Sequence, residues 1–511
     1  MRASPLLTEK PMDMKLKNAS SASTLDNYEL FIDGRYVPAK SGKTFDSIDP
    51  YTLAPWARVP DASTEDIDLA VAAAQRALEG PWGKMSGFHR AKLIRRLGEL
   101  IEKNAEPLAR MEVRDSGKLY REMIFQLRYL PEWFNYFAGL ADKLEGRTIP
   151  TDKSNFFVYT RREPVGVVAA ITPWNAPMML MAMKLAPALS AGCTFVLKPS
   201  EHAPASTLAF AKLVEEAGIP PGVFNVVTGL DRGLGAHLAS HPGVGKVVFT
   251  GSTTTGRAVA QAAASQLNGV VLELGGKSPQ VVFEDADVAA AANGVIAGIF
   301  AAVGQTCMAG SRLIVHRSIA DELVQRIVER AKTIRLGDPQ AEETEMGPIS
   351  NLPQYQRVCD YIRIAQEEGA TLATGGVDDQ LKGWFVQPTV FTNVKPEMRV
   401  VKEEIFGPVL CVLPFDTEEE AIAMANDTEY GLASSVWTQN IQRAHRVADK
   451  IRAGTVWVNS YRAVCPSVPF GGFGASGLGR ENGMESILDF METKAVWVEL
   501  SGATRDPFRM A

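Results

Sequence analysis

One cysteine of this chain lies where a thiol could reach a cleft. Cys307 follows Gly304-Gln305-Thr306, where a long apolar run predicted to be helical gives way to a loop. A thiolate at such a junction could act as a nucleophile toward a carbonyl carbon. The other four cysteines favour the ordinary interpretation of reduced, structural thiols: Cys193 and Cys411 lie in apolar runs, Cys359 in a helical segment and Cys465 in a loop.

The residue that could serve as a general base is Glu273. It comes at the end of an apolar run, Val270–Leu274, and Gly275-Gly276 follows directly. A glutamate at a buried strand end is costly unless it is paired or its pKa is raised, and a general base needs a raised pKa. The alternative interpretation is a structural glutamate that pairs with Lys277. The six histidines lie in surface-like segments, and no GxSxG motif occurs.

Three glycine-rich segments are candidates for phosphate binding. Gly472–Gly477 fits GxGxxG but follows no predicted strand, and Gly275–Ser278 lacks the first glycine of a Walker A loop. Neither is expected to bind a dinucleotide. In Val247–Gly256, by contrast, an apolar strand ends in Gly251, and Ser252 precedes a predicted helix whose N-terminal N–H groups suit a pyrophosphate. An ordinary, well-capped helix explains this segment equally well.

These candidates must be positioned by alternating strands and helices. Strand-like runs are predicted at Val165–Ile171, Thr194–Leu197, Val223–Val227, Lys246–Thr250 and Val270–Glu273, with helices at Pro177–Ser190, Ala205–Ala217, Gly233–His241 and Thr255–Leu267. This alternation predicts a doubly wound parallel sheet covered by helices. A second alternating region is predicted from about residue 278 to 474, with strands at Arg312–His316, Val409–Phe415 and Thr455–Asn459 and helices at Ile319–Ile334 and Leu352–Glu368.

The ends of the chain have a different character. Tyr28–Val37 is predicted to be a hairpin with an Asp33-Gly34 turn, and a helix capped by Thr64 is expected after it. The aromatic segment Arg121–Leu144 is predicted to pack against the rest of the protein. Near the C-terminus, the β-branched run Ala495–Leu500 has no obvious partner strand nearby, which suggests pairing with another subunit.

Length and composition set the broad class. At 511 residues and 55.4 kDa the chain has room for about three domains. A net charge of −6 gives no electrostatic reason to expect nucleic acid, and no apolar run approaches the length of a bilayer span. Five cysteines without a CxxC pair are typical of a cytoplasmic protein. No metal site is predicted.

Seven sequence blocks together resemble the NAD(P)-dependent aldehyde dehydrogenase superfamily, from about residue 28 to 500. In chain order they are Pro173-Trp174-Asn175, Lys198-Pro199-Ser200-Glu201, Phe249-Thr250-Gly251-Ser252, Glu273–Pro279, Gly304-Gln305-Thr306-Cys307, Glu404–Pro408 and Pro469-Phe470-Gly471-Gly472. One departure occurs after the last block, where Gly474 replaces the lysine usual in that family.

The resemblance implies a catalytic set. Cys307 would be the nucleophile, and the side chain of Asn175, with the backbone N–H of Cys307, would bind the oxyanion. Glu273 would activate the water that hydrolyses a thioester on Cys307. Lys184 and Glu481 match positions proposed for a proton relay.

The resemblance also implies an NAD site. Lys198 and Glu201 would contact the adenosine ribose, Gly251 and Ser252 the pyrophosphate, Glu404 the nicotinamide ribose and Phe406 the nicotinamide ring. Trp174 and Leu274 belong to the same set. Because Glu201 would repel a 2′-phosphate, NAD is favoured over NADP, which stays possible.

The aldehyde would enter a channel formed by residues of mostly apolar type: Met178, Met183, Thr306, Met308, Val464 and Phe470. This set suits an apolar or aromatic aldehyde. Arg462 leaves an alternative open, since it either faces the channel and binds the carboxylate of a semialdehyde or is a solvated loop charge. A CoA-acylating enzyme and a non-catalytic relative are further alternatives, which Glu273 and the set of Cys307, Glu273 and Asn175 respectively argue against.

The family fold implies how the chain is divided. A mobile tail is expected at 1–27, a Rossmann-like NAD-binding domain at 28–143 and 163–275, and an α/β catalytic domain at 276–478. A small β oligomerisation arm with a C-terminal segment would combine 144–162 and 479–511. The arm implies a homodimer or homotetramer, and the expected small-molecule partner is the aldehyde.

Overall fold

The computed structural model describes residues 25–377, 382–502 and 508. Most of the predicted mobile tail, residues 1–24, lies outside the described part of the chain. The described residues form four β-sheets and the helices that cover them. None of the described helices is long and apolar enough to cross a membrane.

The elements are numbered in chain order. The strands are β1 (Asp26–Asn27), β2 (Leu30–Ile32), β3 (Arg35–Val37), β4 (Thr44–Ile48), β5 (Pro55–Pro60), β6 (Thr148–Ile149), β7 (Phe156–Pro164), β8 (Val167–Ile171), β9 (Thr194–Lys198), β10 (Phe224–Val226), β11 (Lys246–Thr250), β12 (Gly269–Glu273), β13 (Pro279–Val282), β14 (Arg312–His316), β15 (Thr371–Val377), β16 (Val386–Thr392), β17 (Val409–Phe415), β18 (Ala433–Trp437), β19 (Thr455–Val458), β20 (Gly477–Leu478) and β21 (Met491–Glu499). The helices are α1 (Thr64–Glu79), α2 (Gly87–Lys103), α3 (Ala105–Ser116), α4 (Tyr120–Tyr129), α5 (Pro131–Ala138), α6 (Pro177–Ala191), α7 (Ala205–Glu216), α8 (Gly233–Ala239), α9 (Thr253–Ala264), α10 (Val288–Ile299), α11 (Arg317–Lys332), α12 (Leu352–Glu367), α13 (Arg399–Lys402), α14 (Glu418–Asn426), α15 (Ile441–Lys450) and α16 (Gly483–Ser486).

The first large sheet has eight strands in the order β20-β12-β11-β8-β9-β10-β2-β3. The strands from β12 to β10 pair in parallel, which confirms the predicted doubly wound arrangement. Strands β9 and β11 are buried along their whole length, as expected for a parallel sheet with helices on both faces. The predicted hairpin is β2 and β3, and its turn residues Asp33 and Gly34 both have positive φ.

The second large sheet confirms the other predicted α/β region. Its seven strands run in the order β15-β16-β17-β14-β13-β18-β19, and only β15 is antiparallel to its neighbour. Each large sheet has its own apolar core. The aromatic segment predicted to pack does so, because Trp133, Phe134 and Phe137 of α5 have no exposed surface.

The C-terminal strand has a partner within its own chain. Strand β21 pairs antiparallel with β7 along nine residues, with Trp497 opposite Val158, and β6 completes a three-stranded sheet. The expectation from the residues alone, a strand without a nearby partner, is corrected, because the partner lies more than 300 residues earlier in the sequence. The pairing implied by the family resemblance is found. Strand β21 still forms an edge of this sheet.

Two helix starts differ from the prediction. Helix α1 is capped by Ser63 rather than Thr64, and the Asp66 carboxylate accepts a hydrogen bond from the Ser63 backbone N–H. Helix α9 begins at Thr253, two residues earlier than predicted, because the Ser252 side chain accepts from the Thr255 N–H and so caps the helix. Both differences concern which of several neighbouring Ser and Thr residues is the cap.

Candidate active site

The candidate residues meet at one edge of the eight-stranded sheet. Glu273 ends β12, Thr250 ends β11 and Lys198 ends β9, while Asn175 follows β8 by four residues. These four strands are neighbours and parallel, so their carboxyl ends open into one crevice. Glu273 is in register with Thr250 on one side and with Gly477 of β20 on the other. The sheet topology therefore brings together residues that lie about 100 positions apart.

A strained turn positions Cys307. Between α10 and the cysteine, Ala302 and Val303 have φ values of 52° and 59°, which non-glycine residues rarely adopt. Gly304 follows with φ 67°, and a Cβ there would lie 2.2 Å from the carbonyl oxygen of Gly407. Only glycine fits this close approach. The turn leaves the Cys307 side chain half-buried.

Gln305 accepts two hydrogen bonds that hold the same turn in place. Its side-chain oxygen accepts from the Ser350 N–H at 3.0 Å, and its backbone carbonyl accepts from Nδ2 of Asn175 at 3.0 Å. Asn175 is only 8% exposed. A side-chain amide has two N–H donors, so Asn175 keeps one N–H for another acceptor beside Cys307.

Glu273 is a buried carboxyl group without a partner. It is 3% exposed, and among the described residues neither oxygen finds a hydrogen-bond donor. The alternative pairing with Lys277 is wrong, because Nζ of Lys277 is also buried without a partner in the described part of the chain. Burial, and then the charge of Glu481, raise the pKa of Glu273 well above its usual value, while Lys184 and Arg480 lower it.

Beside Glu273 lies a buried ion pair. Nζ of Lys184 contacts the carboxylate of Glu481 and also donates to Oγ1 of Thr250 at 2.6 Å. Lys184 is the only charged residue of α6, a helix otherwise composed of apolar residues and one serine. The structure thus brings Lys184, Glu481 and Glu273 together, as predicted.

The thiol of Cys307 is surrounded by carboxylates. Its pKa is raised to about 12, first by burial and then by the charges of Glu273, Glu404 and Glu481. The Met308 N–H acts in the opposite direction. Without other influences, the thiol form therefore dominates at neutral pH.

The residues predicted to bind the cofactor line the same crevice. Lys198 is 7% exposed, and its Nζ donates to the Pro199 carbonyl at 3.3 Å. Ser252 caps α9, a twelve-residue helix that begins two residues after Gly251, at the carboxyl end of β11. Oε2 of Glu201 accepts from the Ser200 hydroxyl at 3.4 Å.

The surroundings of Glu404 fit the nicotinamide end of the predicted NAD site. Oε1 of Glu404 accepts from the Gly276 N–H at 3.0 Å, and a Cβ on Gly275 would lie 2.3 Å from its Oε2. The glycine therefore makes room for a carboxylate that keeps further acceptor capacity for a ribose hydroxyl. Trp174 contacts Phe406 edge to face, with ring centroids 5.4 Å apart. Leu274 packs against Gly256, where a Cβ would lie 2.4 Å from Cδ2 of Leu274.

The predicted channel residues differ in exposure. Thr306, Met308 and Val464 are half-buried, and Met183 and Phe470 are 5% and 6% exposed. Met178, in contrast, has no exposed surface, which does not fit a residue of an open channel. Met179 and Leu180, which follow it in α6, are half-buried. The apolar run offered no signal to separate these three neighbours.

The loop that carries Arg462 is fixed beside Cys307. The Tyr461 hydroxyl donates to the Met308 carbonyl at 2.7 Å, a contact that no sequence motif indicated. Arg462 has φ 68° and is half-buried, and its Nη1 donates to the Ala297 carbonyl at 3.2 Å. This hydrogen bond is exposed, so both interpretations of Arg462 agree with the structure.

The GxGxxG segment has a structural position. Gly477 pairs with Glu273 in the sheet, and a Cβ on Gly477 would lie 1.9 Å from the Leu272 carbonyl oxygen. The Ser476 hydroxyl donates to the Gly275 carbonyl at 2.6 Å. These glycines thus allow β20 to approach β12 closely.

Known proteins resemble the chain over almost its full length. The sequence model of the aldehyde dehydrogenase family matches residues 36–496. A (Z)-2-((N-methylformamido)methylene)-5-hydroxybutyrolactone dehydrogenase from Acinetobacter baylyi is 46% identical over 489 residues, 95% of this chain and 100% of that protein. Aldehyde dehydrogenase 1 of Tanacetum cinerariifolium is 48% identical over 471 residues, 92% and 94% of the two chains.

Solved structures agree with the sequence comparison. The NAD+ complex of the Bacillus cereus aldehyde dehydrogenase has a TM-score of 0.92 and 47% identity, and covers 93% of this chain and 97% of that one. A betaine aldehyde dehydrogenase from Staphylococcus aureus in complex with NAD+ also has a TM-score of 0.92, at 39% identity. The chain belongs to the aldehyde dehydrogenase family and oxidises an aldehyde with NAD.

Proposed function

We propose that the aldehyde is oxidised to the carboxylic acid through a thioester on Cys307, which Glu273 hydrolyses. The observation that carries this proposal is the pairing of a half-buried thiol with a buried, unpartnered carboxyl group that raises its pKa. A carboxyl group with a raised pKa accepts a proton from water more readily than an ordinary glutamate.

In the first step Cys307, after its thiol has lost the proton, adds as the thiolate to the aldehyde carbon, and the carbonyl oxygen becomes an oxyanion. The free N–H of Asn175 and the backbone N–H of Cys307 donate to this oxygen. Because Asn175 is already fixed by the Gln305 carbonyl, its second N–H needs little reorganisation. The strained turn at Ala302-Val303-Gly304 keeps the thiol facing this position.

NAD, when bound, accepts the hydride that leaves the tetrahedral carbon. The chain holds it with Lys198 and Glu201 at the adenosine ribose and with Gly251 and Ser252 at the pyrophosphate. Glu404 would bind the nicotinamide ribose and Phe406 would lie beside the nicotinamide, with Trp174 and Leu274 as further cofactor-binding residues. Glu201 favours NAD over NADP because its carboxylate would repel a 2′-phosphate.

In the last step Glu273 removes a proton from water, whose oxygen attacks the thioester carbon; the carbon–sulfur bond breaks and the acid and the Cys307 thiolate are released. Glu273 must then lose that proton. The buried pair Lys184–Glu481, with Thr250 beside it, offers a path from Glu273 toward solvent. The presence of Glu273 argues against CoA as the acceptor, since transfer to CoA needs no such base.

The substrate class that fits best is an apolar or aromatic aldehyde. Support comes from the apolar surface beside Cys307: Met183, Met308, Val464 and Phe470, with Met179 and Leu180 in place of Met178, and Thr306 as the polar exception. A second candidate is a semialdehyde, because Arg462 uses one N–H at Ala297 and keeps other donors for a carboxylate.

We further propose the division of the chain and its assembly. Residues 28–143 and 163–275 would bind NAD, 276–478 would complete the catalytic domain, and 144–162 with 479–511 would form an oligomerisation arm. Edge strand β21 carries Trp497 and Val498, 53% and 39% exposed, which suits pairing with another subunit in a homodimer or homotetramer. The five free cysteines support a cytoplasmic location.

Replacement of the nucleophile tests this function. Cys307→Ala is expected to abolish NADH formation from benzaldehyde, while Cys465→Ala, at the other half-buried loop cysteine, should keep wild-type turnover. NADH absorbance measures both. Substantial activity in the Cys307→Ala variant would refute the mechanism. A semialdehyde preferred over benzaldehyde, and lost in Arg462→Ala, would support the second substrate class instead.

A further inference from the structure

Gly471 belongs to the Pro469-Phe470-Gly471-Gly472 block, and the mechanism above gives it no role. The residue is buried. It follows Phe470, whose backbone N–H and carbonyl exchange hydrogen bonds of 2.7 Å with the backbone of Glu481. This short antiparallel bridge holds Gly471 next to the segment that carries Glu481.

The carboxyl group of Glu273 lies where a side chain of residue 471 would begin. A Cβ on Gly471 would be 2.8 Å from Oε1 of Glu273, 2.8 Å from Cδ of Arg480 and 2.9 Å from the carbonyl oxygen of Gly479. Favourable contacts between non-bonded heavy atoms lie at about 3.5–4.0 Å, so a methyl group here must displace at least one of these neighbours.

The neighbour that can yield most easily is the carboxyl group. It makes no hydrogen bond to the described residues that would resist its movement. Arg480 is held more firmly, because its Nη1 donates to two backbone carbonyls. The backbone of Gly471 is packed closely as well, since a Cβ on Gly454 would lie 1.7 Å from the Gly471 carbonyl oxygen. We therefore expect an alanine at position 471 to displace the carboxyl group of Glu273.

The next glycine of the block has different neighbours. A Cβ on Gly472 would lie 2.3 Å from Cβ of Ser476 and 2.8 Å from the backbone of the same residue. Close packing within the loop therefore accounts for Gly472. Gly471 also adjoins an oxygen of the carboxyl group that the proposed mechanism uses.

We propose that Gly471 is a positioning residue that acts through Glu273: because it has no side chain, the carboxyl group keeps the place from which it activates water. The inference rests on the proposed role of Glu273 in hydrolysis of the thioester. Formation of the thioester does not use Glu273 in that mechanism. A side chain at position 471 should therefore slow hydrolysis and spare the NADH formed in the first turnover.

The test is the pre-steady-state kinetics of Gly471→Ala, mixed with NAD and benzaldehyde. We expect a burst of about one NADH per subunit, followed by a steady-state kcat at least about tenfold below that of the wild type. Mass spectrometry should find a benzoyl group on Cys307 during the slow phase. Alanine at the φ of 157° found for Gly471 also adds backbone strain, but strain alone does not distinguish between the two chemical steps.

A double-mutant comparison shows whether Gly471 acts through Glu273. In enzyme that already carries Glu273→Gln, the further change Gly471→Ala should lower kcat by less than about twofold, because the base it displaces is absent. A role in packing alone would reduce kcat by the same factor in both backgrounds. Equal factors would therefore contradict the inference.

Gly243→Ala is the matched control. Its Cβ would also meet side-chain atoms, at 2.7 Å from Nε2 of Gln75 and 2.8 Å from Cγ1 of Val71. Gly243 precedes β11, at the opposite edge of the sheet from Glu273. This variant should show the kinetics of the wild type.

If Gly471→Ala does not fold, the same change is made in Arg480→Ala, where one of the crowded side chains has been removed. The double variant should again show the burst and the slow steady state, compared with Arg480→Ala alone. The wild-type kcat in a folded Gly471→Ala enzyme would overturn the inference. So would loss of the burst together with the steady-state rate, which indicates a general disturbance of the site.

The proposed mechanism is tested separately by Glu273→Gln. If that variant accumulates the acyl enzyme while Gly471→Ala turns over normally, only the role of Gly471 is refuted. If Glu273→Gln itself turns over at the wild-type rate, hydrolysis by Glu273 is refuted, and the role of Gly471 with it.

Discussion

Two buried carboxyl groups in the chain share an environment but differ in their partners. Asp115 and Glu273 are both removed from solvent, and burial is the largest cause of the raised pKa in each. Asp115 accepts hydrogen bonds from the Ser47 hydroxyl and from the N–H groups of Ala205 and Ser206, at the start of α7. Glu273 accepts none from the described residues. In Asp115 the carboxylate oxygens are used by hydrogen bonds within the fold, whereas those of Glu273, which lies at the crevice, stay available for water.

Two cysteines extend the comparison. Burial raises the pKa of both Cys193 and Cys307 to about 12. Cys193 has no exposed surface, and its thiol donates to the Phe490 carbonyl at 3.3 Å. Cys307 is half-buried and faces charged groups. A raised pKa therefore does not by itself identify a functional thiol, and accessibility and neighbours decide.

The largest effect is expected from Glu273→Gln. The amide has the shape of the carboxylate but cannot accept the proton of water, so steady-state turnover should fall by about 10²–10⁴-fold. Because burial raises the pKa of Glu273, its ionised form destabilises the fold above pH 4.5, and the variant should be at least as stable as the wild type at neutral pH. Kinetics and thermal unfolding measure the two effects. If the variant is stable and keeps wild-type turnover, Glu273 has no catalytic role that would distinguish it from Asp115.

Asn175→Ala should have the next largest effect. Loss of one oxyanion donor typically lowers kcat by about 10²–10³-fold. The matched control is Asn225→Ala, at a buried asparagine whose amide donates to the carbonyls of Gly222 and Phe195 away from Cys307. That variant should lose stability while folded enzyme keeps its kcat. Equal kcat values in the two variants would argue against an oxyanion role.

The pH dependence follows from the raised pKa of Glu273. Hydrolysis needs the ionised carboxylate, so kcat should fall about tenfold per unit as the pH decreases through that pKa. With burial and Glu481 acting together, the fall should begin well above pH 4.5. A rate profile from pH 5 to 9, with NADH formation as the signal, measures it. A kcat that stays constant down to pH 5 would contradict hydrolysis by Glu273.

The smallest effect on activity is expected from Asp115→Ala. The change leaves two N–H groups of α7 and one hydroxyl without their acceptor, and the free energy of unfolding should drop by about 1–3 kcal/mol. The kcat of the folded enzyme should stay within about twofold of the wild type. Chemical denaturation and initial rates provide the data. A large loss of kcat without loss of stability would show that Asp115 acts in catalysis and not in stabilising the fold.

The sequence predicted the two large sheets because local patterns encode them, and the same patterns singled out Glu273 and Cys307 as candidate residues, whereas the other candidates followed from the family resemblance. The end of β12 at Glu273 and the turn before Cys307 follow from apolar runs closed by polar and glycine residues. Because the carboxyl ends of parallel strands lie at the same edge of a sheet, the residues that follow these strands are predicted to lie close together. The absence of a partner for Glu273 was not visible in the sequence, since Lys277 lies only four residues away.

What the sequence could not predict depends on distant contacts. The partner of β21 is β7, and no local pattern specifies a pairing over more than 300 residues. Met178, Met179 and Leu180 are equally apolar, so only the orientation of α6 distinguishes which of them faces the core.

Trapping of the acyl enzyme tests whether Glu273 hydrolyses a thioester on Cys307. Glu273→Gln is mixed with NAD and benzaldehyde, and the peptide containing Cys307 is analysed by mass spectrometry while NADH is followed. We expect a burst of about one NADH per subunit and a benzoyl group on Cys307. Continued turnover at the wild-type rate, with Cys307 unmodified throughout, would contradict it.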